Sequence, residues 1–200
     1  MSKKYALLMV GILLIWGTAS SLSSLDSFAQ LGGNQTQQKI IKGDRPFGPT
    51  FETFVVPGSV GGYGVYEERM SNVFAPGEDI ILYIEPVGFS YQAMDPSLAK
   101  NETLYLMNFT SDVQISDNSG NVLAGFQDLP ISQILSHHQN KEINLVITLS
   151  QSTPFPDGDY SLKYTVHDVS SGDNFDVSKE ISINPSQVIL EKGGSQATTE

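Results

Sequence analysis

The chemistry open to this chain is set by three histidines and a scatter of serines and carboxylates, with no cysteine at all. Disulfides, thiolate metal sites and cysteine nucleophiles are excluded at once. His137 and His138 are adjacent, so in a strand they face opposite ways and in a helix they stand about 100° apart. Neither arrangement converges on one metal. His167 falls on the polar face of a predicted strand, and with so few nitrogen and sulfur ligands no zinc or copper centre is expected. No G-x-S-x-G elbow occurs, and a hydrolase triad would have to recruit one of those three histidines. Asp112, Asp117, Asn118, Asn121, Asp157, Asp159, Asp173 and Asp176 offer oxygen ligands for calcium, but none has the D-x-[DN]-x-[DN]-G spacing and turn chemistry accounts for Asp and Asn at such places. The expected cofactor set is therefore empty, with calcium the weak alternative.

One stretch differs from the rest. Gly61-Gly-Tyr-Gly-Val-Tyr-Glu-Glu-Arg69 precedes Phe74-Ala-Pro-Gly-Glu78 and Ile80-Ile-Leu-Tyr-Ile-Glu85. In the strand from Ile80, alternation puts Ile80, Leu82 and Ile84 on one face and Ile81, Tyr83 and Glu85 on the other. Tyr66, Glu67, Arg69, Tyr83 and Glu85 then form a candidate interaction face. Paired carboxylates 5–10 Å apart serve glycosidic acid–base chemistry. A salt-bridged sheet edge is the preferred reading, with Arg69 bridging Glu67 or Glu85.

These side chains must be carried by strands. Apolar residues recur with period 2 and turn residues interrupt them at short intervals. The pattern predicts strands near 51–56, 63–69, 80–87, 104–117, 122–128, 143–149, 159–168 and 174–183. About eight strands and almost no helix make an all-β, immunoglobulin-like antiparallel β-sandwich. Tyr160, Leu162, Tyr164 and Val166 share a core face, while Ser161, Lys163, Thr165 and His167 share a wet one. Asp117–Asn121 and Ser170–Asp173 supply the residues that tight hairpins require. Only 131–139 is expected to form a short helix, as a crossover between sheets.

The sandwich is assigned to residues 50–190, with a Gly/Gln/Asn-rich linker over 30–49 and a frayed tail over 191–200. Lys3 and Lys4, an apolar run from Tyr5 to Trp16, and a small, polar stretch have the order of a secretory signal over 1–29. Twelve apolar residues reach about 18 Å, short of a hydrocarbon core of roughly 30 Å. Cleavage after Ala19 or after Ala29 satisfies the small-residue rule, with Ala29 preferred; an uncleaved anchor is the alternative, and then the only route to a membrane. Asn34, Asn101 and Asn108 begin N-x-S/T sequons that an exporting, N-glycosylating cell can modify. A net charge of −11 argues against nucleic acid, which needs clustered cations. At 40% hydrophobic and 16% charged, the chain can nonetheless build a core.

G-[YF]-G-x-Y-E, F-x-P-G-E and x-Y-x-E, followed by P-x-G-x-Y-x-L-x-Y-T-V-x-D-x-x-S-G, carry a resemblance. They fall on Gly62, Tyr63, Gly64, Tyr66, Glu67, Phe74, Pro76, Gly77, Glu78, Tyr83 and Glu85, then on Pro156, Gly158, Tyr160, Leu162, Tyr164, Thr165, Val166, Asp168, Ser171 and Gly172. From Gly61 to Ile183 the chain resembles an uncharacterised family of exported all-β domains of bacteria and archaea. The resemblance implies export and a sandwich fold, and brings no catalytic residue. The expected function is a secreted, non-enzymatic binding or structural module at the cell surface, its partner an envelope protein or glycan. One alternative is a carbohydrate-binding module stacking sugars on Tyr63, Tyr66, Tyr91 or Tyr105. The other is a carboxylate- or metal-dependent hydrolase.

Overall fold

The computed structural model describes residues 39–95 and 102–186. Among them the period-2 pattern forms ten strands and no helix. In chain order they are β1 (Ile40–Ile41), β2 (Gly48–Phe54), β3 (Val73–Phe74), β4 (Ile80–Val87), β5 (Tyr91–Ala93), β6 (Tyr105–Asp117), β7 (Val122–Ser136), β8 (Leu145–Leu149), β9 (Gly158–Asp168) and β10 (Asn174–Ile183). A seven-stranded sheet runs β7-β6-β9-β10-β3, with β5 and then β1 continuing along the same edge of β6 that β9 occupies. A three-stranded sheet, β2-β4-β8, makes the second layer. Every pairing is antiparallel except β10 with β3.

The core between the sheets follows the alternation. Tyr160, Leu162, Tyr164 and Val166 of β9 are buried, as are Met107, Phe109, Val113 and Ile115 of β6 and Ile80, Leu82 and Ile84 of β4. Each such side chain contributes about 1.5–3 kcal/mol by leaving water. Tyr160 also donates its hydroxyl hydrogen to the Pro156 carbonyl, 2.8 Å away, which ties the start of β9 to the turn before it. Both expected hairpins form: β6 turns into β7 through Gly120 at φ +81, and β9 into β10 through Gly172 at φ +77.

Three expectations are corrected. Residues 63–69 are a loop rather than a strand: Gly62 and Val65 bridge within the loop itself, and the backbone meets the end of β2 through an isolated bridge at Val55–Glu68 and the Arg69 N–H on the Phe54 carbonyl. Gly62 (φ +147) and Gly64 (φ +68) take up backbone that no ladder accepts. The expected helix over 131–139 is instead the second half of β7, which continues to Ser136. Ile131, Ile134 and Leu135 imitate a helical stripe, but register shifts opposite Phe109 and Ser111 re-aim the strand so that Ile131 and Ile134 both pack on the core. Residues 39–49, assigned to the linker, belong to the fold: β1 pairs with β5, and Ile41 and Phe47 pack on the core. That stretch crosses β4 so closely that a Cβ on Gly88 (φ +72) would collide with the carbonyl oxygens of Arg45 and Pro46. The expected signal over 1–29, residues 30–38 of the expected linker, and the tail lie outside the described residues, as do Asn34 and Asn101.

Candidate interaction surface

Alternation along β4 turns Ile81, Tyr83 and Glu85 away from the main core, onto the outer face of the small sheet. That face is not open. The chain between β2 and β3 folds back across it, and Val60 and Tyr66 of this loop close over Ile81 and Tyr83, with Phe51, Val55 and Val146 completing a second apolar cluster. The Tyr66 ring lies 4.4 Å from that of Tyr83 and 5.6 Å from that of Phe51, centroid to centroid. The Tyr83 hydroxyl donates to Glu85 Oε1 at 2.8 Å and accepts from the Gly64 N–H at 2.8 Å, and the same N–H lies 3.2 Å from Glu85 Oε1. Burial, followed by the hydrogen bond to Glu85, pushes the Tyr83 hydroxyl up to about 12. Burial and the charges of Glu85 and Glu68 raise Tyr66 as well.

The five residues of the expected face therefore separate into three groups. Tyr66, Tyr83 and Glu85 come together as the underside of the loop. Glu67 is exposed and tied through its backbone, its N–H donating to Ser59 Oγ at 3.2 Å and its carbonyl accepting from the Val56 N–H. Arg69 bridges neither Glu67 nor Glu85, which corrects the expected pairing. Its Nη1 and Nη2 both reach Glu78, Nη2 also donates to the Val73 carbonyl at 2.7 Å, and Nε donates to the Ser71 carbonyl at 3.0 Å. Its guanidinium carbon sits 4.2 Å above the Phe74 ring. Glu78 closes the turn Ala75-Pro76-Gly77-Glu78 by accepting from the Ala75 N–H, and the buried Gln151 holds that turn through Gly77 N–H and the Glu78 carbonyl. F-x-P-G-E is thus a turn with Pro and a positive-φ Gly at its centre, clamped by Arg69.

Above the pinned underside, Gly62 and Val65 close a turn whose tip presents Tyr63 at 40% and Val65 at 58% exposure; Met70, further along, is 96% exposed. Sequence reasoning named Tyr63 as a stacking candidate but missed the turn that presents it, because it treated 63–69 as sheet. The glycines on either side of Tyr63 were the available signal. Of the other tyrosines weighed for stacking, Tyr91 is buried with its hydroxyl on the Asn140 carbonyl, Tyr66 is sandwiched, and Tyr105 is half-buried.

The remaining polar candidates are committed to structure. Asp168, 1% exposed, accepts from the Ser90 N–H (2.7 Å), the Ser171 hydroxyl (2.9 Å) and the Ser170 N–H (3.0 Å), which explains D-x-x-S-G as a buried carboxylate tying the β9–β10 turn to the β4–β5 connection. Asp117 accepts from Ser119 and Asn121 across its own hairpin, and those bonds lower its pKa. Asp112 meets His167 Nε2 at 3.1 Å and accepts from the Asp128 N–H at 2.9 Å. Asp176 meets Lys163 at 2.8 Å. His137 lies 3.7 Å from Glu102 on the exposed surface. No group of three or more metal-ligating side chains occurs among the described residues. Asn108 lies half-buried in the middle of β6, opposite Gln133, where its sequon is part of a ladder. No protein-family model matches the chain, and no curated protein matches it in sequence.

Proposed function

We propose that the protein is an exported, non-enzymatic module of immunoglobulin-like type that binds a partner at the cell surface, with the loop tip around Tyr63 and Val65 as its contact element. The observation that carries this reading is the contrast within one loop. Its underside is fixed by Tyr66, Tyr83 and Glu85, while Tyr63 and Val65 are held out in water. A rigid apolar tip loses little entropy on binding, which is the economy that preorganised contacts exploit. The Tyr160–Pro156 bond, a tyrosine corner, supports the immunoglobulin-like description. Glu85, the carboxylate best placed for acid–base work, is already bonded to Tyr83, which weighs against a hydrolase.

The test is a pair of measurements on Tyr63→Ser with Val65→Ser. Both side chains are exposed, so the urea midpoint should stay within the shift of an ordinary surface change, about 0.5 kcal/mol. Crosslinking to envelope material from a photoreactive group at position 63 should disappear with Val65→Ser. Retention of crosslinking, with the fold intact, removes the tip from the function. Tyr63 also keeps the carbohydrate reading in play, and saturable binding to a glycan array that is lost with Tyr63→Ser would select it.

A further inference from the structure

We infer that the cleft between the β4–β5 connection and the β9–β10 turn is a binding site for a neutral sugar ring. With the chain that crosses between β1 and β2, these segments enclose about 450 Å³, inside the range of about 300–1,000 Å³ typical of small-molecule sites. Lys42, Arg45 and Phe47 line it from the crossing chain, Ser90 from the connection, and Asp173 and Asn174 from the turn. Ser90 is the residue that points to a ligand. It is 1% exposed, its N–H is taken by Asp168, and its hydroxyl has no hydrogen-bond partner among the described residues. Buried hydroxyls are seldom left so, because their lost hydration then goes uncompensated.

The walls select a ligand by charge and by hydrogen-bonding type. A simple anion meets Lys42 and Arg45, but also the Asp173 carboxylate and, 2.7 Å from the Ser90 N–H, the buried Asp168, in a chain of net −11. A cation meets Lys42 and Arg45 themselves. A neutral ligand escapes both repulsions. If each of its polar groups donates and accepts, it can use Lys42 and Arg45 as donors, Asp173 as acceptor, and Ser90 and Asn174 as either. Neighbouring hydroxyls on a sugar ring do this, at a spacing that a forked carboxylate or guanidinium spans. The Lys42–Asp173 pair, 3.5 Å apart with both side chains at least half exposed, is weak enough to open for them.

The cleft is held in shape by its own bonds. Asp168 accepts from Ser90 on one wall and from Ser170 and Ser171 on the other. A Cβ on Gly43 would come within 2.5 Å of the Gly88 carbonyl, so the crossing chain lies on the connection backbone to backbone. The Phe47 ring is packed between those of Phe109 and Phe175. Little is left to order on binding.

The probes are the methyl glycosides of glucose, galactose, mannose and N-acetylglucosamine, titrated into the full chain and followed by amide NMR. At least one should give saturating shifts at Ser90, Gly172 and Asn174, with a dissociation constant of about a millimolar. Ser90→Ala keeps the N–H that Asp168 needs, and Arg45 is exposed, so neither Ser90→Ala nor Arg45→Met should lower the urea midpoint. Each should weaken glycoside binding about tenfold or more. Raising salt from about 50 mM to about 500 mM should leave the affinity within about twofold, since no net charge is brought to the site. Acetate and inorganic phosphate are the competing probes, and saturation of the same amides by either of them, with none by a glycoside, overturns the proposal. So does the absence of saturation by any glycoside at about 50 mM, or binding that survives both Ser90→Ala and Arg45→Met. The cleft shares no residue with the loop tip, so Tyr63→Ser should leave glycoside binding unchanged, and its loss with that substitution would move the sugar to the tip.

Discussion

Arg69 has every side-chain nitrogen occupied, and the partner that neutralises it is nine residues away, in a turn, rather than across a hairpin. The sequence reading weighed Glu67 and Glu85, but the stretch also holds Glu68 and Glu78, and only the path of the loop selects Glu78. Arg69 and Glu78 expose 12% and 19% of their side chains, so neither charge is well hydrated. Arg69→Met should therefore cost about 2–4 kcal/mol, because it leaves Glu78 uncompensated. Adding Glu78→Gln should recover part of that loss, whereas adding Glu85→Gln should be additive to within about 0.5 kcal/mol. Urea unfolding of the two double-mutant cycles reads the difference directly. Coupling to Glu85 and none to Glu78 would mean the clamp is misassigned.

Most strands were legible because alternation leaves little choice: β4 and β10 fall where the pattern puts them, and β9 begins one residue sooner. Leu162 is 0% exposed and Lys163 is at the surface, so Leu162→Asp should unfold the domain or cost several kcal/mol, while Lys163→Gln should stay near 0.5 kcal/mol. Thermal unfolding of the two single variants is sufficient, and equal losses would put the faces the wrong way round. What the pattern did not carry were the two-residue strands β1 and β3 and the three-residue β5. Segments that short show no period. They exist because neighbours offer them partners: β3 pairs with the long β10 far away in sequence, β5 with the start of β6, and β1 in turn with β5. The candidate face failed for a related reason. Three glycines in 61–64 mark a loop, yet Tyr63, Val65 and Tyr66 are strand-favouring residue types, and the cover that Tyr83 and Ile81 require settled the conflict in favour of the loop. Of the site itself, the Tyr83–Glu85 pairing was visible as i, i+2 neighbours on one face. Tyr63 was named as a stacking candidate, but the turn that presents it beside Val65 was not legible.

At the scale of the whole molecule, excess negative charge makes stability a function of pH at both ends. Asp44, Asp117 and Asp176 are held below the usual carboxylate value of 3.8, by hydrogen bonds from Lys141, Asn121 and Lys163 respectively. A carboxyl with a depressed folded pKa stabilises the fold above its unfolded pKa, and that stability is lost as pH falls through the folded value. The urea midpoint should thus hold from neutral pH down to about 5 and drop below about 4, with Lys163→Gln flattening part of the drop. At the alkaline end the sign reverses. Tyr83, raised from 10.0 to about 12, favours the fold fully below pH 10 and loses that contribution as pH climbs to 12. A midpoint unchanged across both limbs would contradict these assignments. The direction in which the chain crosses the sandwich has a mechanical consequence. Lys42 lies 3.5 Å from Asp173, beside the start of β10, so the chain comes in at that end and leaves past Ile183, about 30 Å away along ten residues of strand. A pull on the two ends therefore runs parallel to β10 and loads its ladder with β9 in shear, all rungs at once, where a perpendicular pull would unzip them singly. Under such a pull the β9–β10 ladder resists as a unit, and the short strand β1, with two rungs, is the part that would slip first.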